Sequence, residues 1–166
     1  MSSTAAEAIA AQARDESPLW GSALRDVFDW QPVFSPLAPP QFELGLETVY
    51  EAYLVHYGTP RLFSPAGESE RILLGDYLYA HGLVRVAAHE DVDAVADLAA
   101  LISLCAQLRA DGGAGDGEAW AATAALLGRS PLRESREPTV LDALARQAVD
   151  DDALDRAFAL HAERVG

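Results

Sequence analysis

The sequence predicts an all-α fold, a helical bundle, on three observations. Half of its 166 residues are hydrophobic, with alanine spread throughout, and alanine is the best helix former. Aromatic residues make up only 8%, whereas sheets want aromatic and β-branched side chains. Apolar positions recur at helical spacing in one segment after another, the period of a helix with a buried face. A chain of this length removes about two-thirds of its unfolded surface on folding. Residues 1–166 can therefore form one helical domain without a disulfide or metal staple.

The alanine-rich residues 3–15 predict a first helix that closes before Ser17 and Pro18, and residues 19–29 a second. Residues 31–42 contain Pro32, Pro36, Pro39 and Pro40. Prolines at that density remove amide donors and clash with the preceding turn, so this stretch reads as an extended strap, pinned to the helices by Trp30, Phe34 and Phe42. A third helix is predicted over 43–57, where Leu46, Val49, Tyr50, Tyr53 and Leu54 follow the helical period, and Gly58-Thr59-Pro60 stops it.

The longest helix should run over 66–89, with Ile72, Leu73, Leu78, Leu83, Val84 and Val86 on its apolar face. Gly75 and Gly82 lie inside it, seven residues apart and so on one face. Each costs up to about 1 kcal/mol against alanine, and a close helix crossing is the natural compensation. Asp91 or Asp93 caps the next helix, which carries Val92, Val95, Leu98, Ala99, Ile102 and Cys105. Residues 112–117 read as a flexible glycine-rich break before a C-terminal segment with helices over 118–127, 139–149 and 152–164.

The net charge is −14, and all 12 basic residues are arginine. Phosphate backbones demand a basic stripe, which this spacing lacks, so nucleic acid is excluded as a partner. An anionic membrane surface is disfavoured in the same way. Without lysine there is no amine nucleophile, and arginine is the only permanent cation. Cys105 is the single cysteine, in an apolar run that suits burial. No basic leader and no run of about 20 apolar residues occurs, so no membrane span is expected, and the location expected is cytoplasmic.

The stretch Gly58-Thr59-Pro60, then Gly67, then Ile72-Leu73-Leu74-Gly75-Asp76-Tyr77-Leu78 resembles the trans-polyprenyl diphosphate synthases over roughly a quarter of the chain. The resemblance implies isoprenoid-synthase-like packing of the central helices. In its register the family's first aspartate motif falls on Glu47, Thr48 and Glu51, and its arginine pair on His56 and Tyr57. Family aspartates hold magnesium on an allylic diphosphate, because a hard cation bridging carboxylate and phosphate oxygens stabilises the departing group. Glu47 and Glu51 keep two carboxylates one turn apart, a pair able to share one Mg²⁺ ion. The missing arginines remove the bidentate partners of the diphosphate. A second aspartate motif has an echo at Gln147, Asp150, Asp151, Asp152 and Asp155, where helix capping is the simpler reading. The resemblance thus implies a truncated, non-catalytic relative: a partner of a catalytic synthase subunit, a homodimer, or a binder of an isoprenoid lipid in a groove lined by Leu46, Tyr50, Tyr79 and Leu83.

Two further readings stand beside it. One is a free-standing helical interaction module with a dry core and an exposed apolar patch. The other is an enzyme using Glu47, Glu51 and Asp76 around one magnesium ion. Asp76, on an otherwise apolar helix, calls for an ion pair with Arg61 or Arg71, or a polar cavity. His56, beside the Gly-x-Pro turn, is the histidine placed to face a cleft. His81 and His89 are eight residues apart, which is not the spacing of helical metal ligands.

Overall fold

The computed structural model describes residues 2–165, and among them every regular element is helical. In order these are α1 (Ser2–Glu16), α2 (Pro18–Ala23), two single 3₁₀ turns (Ser35–Leu37 and Pro40–Phe42), α3 (Glu43–Tyr57), α4 (Glu68–Ala87), α5 (Val92–Ala110), α6 (Asp116–Ala125), α7 (Pro131–Glu134), α8 (Pro138–Ala148) and α9 (Asp151–Val165). No helix among them is long and apolar enough to cross a membrane.

Local chemistry sets several boundaries. Ser17 caps α2 by accepting from the Leu19 amide at 3.1 Å, with Pro18 in the first turn where its missing donor costs nothing. The helix stops at Ala23, short of the expected residue 29, because the chain turns to pair with the segment after α3. The Arg25 amide donates to Leu62 O at 2.8 Å and the Ser64 amide to Ala23 O at 2.7 Å, around an isolated antiparallel bridge between Leu24 and Phe63. Asp91 caps α5, its Oδ1 accepting from the Ala94 amide at 2.8 Å. The strap is shaped by its prolines into the two 3₁₀ turns, and Phe34 and Phe42 are buried as its anchors.

Helix α3 is the axis of the molecule. The sequence pattern suggests one apolar face, yet every residue from Gly45 through Val55 is buried, because α3 divides two apolar clusters. On one side lie Ile9, Ala13, Ala52, Val55, Phe63, Leu74 and Leu78. On the other, Phe34, Tyr50, Tyr53, Leu98, Leu101, Trp120, Leu141 and Leu154 join the strap to helices on both sides of residues 112–117. Of that glycine-rich stretch, Asp116 and Gly117 already belong to α6.

Helices α3 and α4 run antiparallel at close range, and glycine permits it. A Cβ on Gly82 would collide with the Val49 side chain and lie 3.2 Å from Gly45 O; one on Gly45 would sit 2.5 Å from Val86 Cγ2; one on Gly75 would enter the His56 ring. The expected close crossing is therefore present, and its partner is α3. At the far end, α9 closes on the same axis: the Thr59 amide donates to Arg164 O at 2.9 Å, and Arg164 Nη1 pairs with Asp29 at 2.9 Å.

Candidate functional site

Glu47 and Glu51 lie one turn apart on α3, facing the loop that follows it, and that loop returns Arg61 between them. The Arg61 guanidinium is fully buried. Its Nη1 donates to Glu47 Oε2 at 2.6 Å and to Gln31 O at 2.8 Å, while Nε donates to Glu51 Oε2 at 3.0 Å. Glu51 Oε1 also accepts the amides of Arg61 and Leu62, at 2.9 and 2.8 Å. Cζ stands 4.1 Å from the Trp30 ring centroid and 5.1 Å from that of Tyr50. Burial works against the guanidinium's charge, but the two carboxylates more than offset it and hold the Arg61 pKa above its ordinary value. Both carboxylates are thus engaged by a protein cation, and among the described residues no group of three or more acidic, histidine or cysteine side chains is placed to hold a metal.

Arg61 therefore does not pair with Asp76, and neither does Arg71. Asp76 is 69% exposed on its side chain, with its Oδ1 3.4 Å from His56 Nε2. The buried positions on this turn of α4 are Leu74 and Gly75, of which Gly75 faces α3; Asp76, the next residue, is rotated into solvent and needs no arginine. His56 fills the space above Gly75 and stacks on Tyr79 with ring centroids 5.2 Å apart. Burial lowers its pKa, against the raising effect of Asp76.

Of the four residues expected to line a groove, Leu46 and Tyr50 are sealed in the core, and Tyr79 and Leu83 pack against it half-buried. Three surface cavities of about 280, 210 and 140 Å³ involve none of the four. His81 Nδ1 lies 2.6 Å from Gln12 Nε2 and His89 stacks edge-on against Phe42, so the two histidines serve different neighbours. At the start of α9, Asp150 accepts from the Ala153 amide at 3.2 Å, while Arg146 binds Asp151 and Asp155. These acids cap the helix and pair on the surface.

Compared with protein-family models, curated proteins and solved structures, the chain matches none. Its functional reading accordingly rests on geometry.

One polar cluster escaped the sequence reading. Asp116, at the start of α6, accepts from Arg109 Nη2 at 2.6 Å and Nε at 2.9 Å and from the Tyr53 hydroxyl, and Arg109 Nη2 also reaches that hydroxyl at 2.7 Å. Burial would raise the Asp116 pKa, but the bonds from Tyr53 and Arg109 bring it below its usual value. Beside it, His161 Nδ1 lies 2.9 Å from the Tyr50 hydroxyl, and burial lowers that imidazole to about 4. Cys105 is buried, its thiol pushed up to about 12 by desolvation, so it is a packing residue. Tyr53 and Asp116 are 63 residues apart, and no local pattern signals their meeting.

Proposed function

We propose that this chain is a non-catalytic helical protein that acts by binding another protein chain. The observation that carries this reading is a division of labour. The carboxylates that would hold a metal are bound to Arg61 inside the core, while large apolar side chains stand in solvent. Leu73 is 58% exposed, Val84 65% and Val92 79%. Leu73, Ala80, Val84 and Ala87 follow helical spacing down one exposed face of α4, and its end meets the cavity of about 210 Å³ lined by Ala87, Val92 and Val95. Such a row suits a partner helix laid along it. With a net charge of −14, the surface around it favours a partner with a basic rim.

A second reading specifies the partner as a catalytic polyprenyl synthase subunit. The antiparallel α3–α4 pair supports it, because the contact of Gly75 with His56 falls on the stretch that carries the resemblance.

Native mass spectrometry of the purified chain, alone and with a prenyl diphosphate plus Mg²⁺, separates these readings from an isoprenoid-binding role. The expectation is no retained lipid, and retention would overturn the partner-binding reading in favour of an isoprenoid-binding role. Partner capture by the wild type should disappear with Leu73→Asp/Val84→Asp at unchanged melting temperature. Capture indifferent to that double change would remove the α4 face as the docking surface.

A further inference from the structure

We propose that the cleft at the Gly58-Thr59-Pro60 turn binds a phosphoryl oxyanion, as free phosphate or as the head group of a phosphate monoester. The cleft has a volume of about 140 Å³, and its walls include Arg25, Arg71, Ser64, Gly58, Pro60 and Phe63. Two of the lining residues are arginines and none is acidic.

Of the 12 arginines, Arg61, Arg109, Arg146 and Arg164 pair with carboxylates. The other eight make no ion pair among the described residues, and of these Arg25 and Arg71 line one small cavity together. Two unneutralised guanidinium groups facing the same space repel each other, and an anion between them converts that repulsion into attraction.

Arg25 is organised in advance. Its amide donates to Leu62 O at 2.8 Å and its Nε to Phe63 O at 3.1 Å. That leaves the terminal nitrogens without a protein partner and free to present the planar fork that matches phosphate oxygens. Arg71 comes from the first turn of α4, whose N-cap Gly67 offers no side-chain oxygen and whose two acids, Glu68 and Glu70, do not line the cleft. The Ser64 hydroxyl is an exposed donor at the rim. Sites for whole drug-sized ligands run to about 300–1,000 Å³, so this cleft takes a head group and leaves the remainder of a ligand in solvent.

The test is calorimetric titration of the full chain with inorganic phosphate and with glycerol phosphate, in chloride buffer of matched ionic strength. Saturable binding is expected, weakened by about tenfold or more on losing a charged donor in Arg71→Gln, an exposed position that leaves the fold intact. Arg25→Gln, checked for an unchanged helical spectrum, should weaken it likewise. Tighter binding of the ester identifies a monoester head group as the occupant, and equal binding identifies phosphate itself. Absence of saturable binding, affinity unchanged in both variants, or equal binding of acetate would overturn the assignment.

Discussion

Replacing Arg61 with methionine tests the centre of the fold. The substitution keeps an unbranched apolar stem but leaves Glu47 and Glu51 buried with no counter-charge, and it removes the bond to Gln31 O. Breaking a buried pair in this way costs about 3–5 kcal/mol. At about 2.1 cal/mol/K per residue, a chain of 166 residues has an unfolding entropy of about 0.35 kcal/mol/K. A loss of about 4 kcal/mol therefore lowers the melting temperature by about 11 °C. The variant Glu47→Leu/Glu51→Gln/Arg61→Met removes all three charges and keeps an amide oxygen at position 51 for the backbone donors of residues 61 and 62. It should recover to within about 2 kcal/mol of wild type, since apolar replacement of a whole buried ion group is close to neutral. Thermal and urea melts at neutral pH read both changes, and about 10 mM Mg²⁺ should leave the wild-type midpoint where an ionic-strength control puts it. A loss below about 1 kcal/mol for the single change, a triple variant no better than the single one, or a specific Mg²⁺ stabilisation would refute the reasoning.

Other expectations follow from particular contacts. Gly82→Ala, whose new methyl would collide with Val49, should destabilise by about 1–3 kcal/mol despite alanine's better propensity, as urea midpoints would show. The Thr123 hydroxyl is fully buried with no partner, so Thr123→Val should raise stability by about 1 kcal/mol; a loss measured in the same melts would mean the hydroxyl is satisfied. His161 is buried and neutral, facing Tyr50, with Asp116 raising and Arg109 lowering its pKa of about 4 against an ordinary 6.5. Its contribution is complete above pH 6.5 and lost as the pH falls toward 4, roughly 3 kcal/mol in all. The half-buried His56 acts in the same direction. Urea melts from pH 7 to 4 should show this slope, and His161→Gln, less stable at pH 7, should flatten it.

Much of the helical framework was legible in the sequence. The third helix is found over the predicted residues 43–57, Asp91 caps α5, and the spacing of Gly75 and Gly82 announced a close crossing. These features are local, or repeat within a few turns. What pairs distant segments was not legible. Residues 24 and 25 leave the helical pattern because Leu62 and Phe63 come alongside. Glu47, Glu51 and Arg61 were all visible as candidates, but a loop's return path decides which acid an arginine meets, and period and composition are silent on that path. The four-residue helix α7 opens at a proline after Ser130, which adopts a positive φ of 56°. It is too short for a period to register.

The placement of His161 also bears on how the chain is made. Its ring stacks within the aromatic group of Phe34, Tyr50 and Tyr53, and its bond to Tyr50 spans 111 positions. During vectorial synthesis α3 leaves the ribosome with most of this face uncovered; Trp120 can cover part of Tyr50 and Tyr53 once it emerges, and the face is closed only when residue 161 follows. Closing so distant a contact is slow relative to helix formation. The nascent chain therefore passes through a stage in which α1–α4 can pack around one face of α3 while the other presents tyrosines to any chaperone near the exit site.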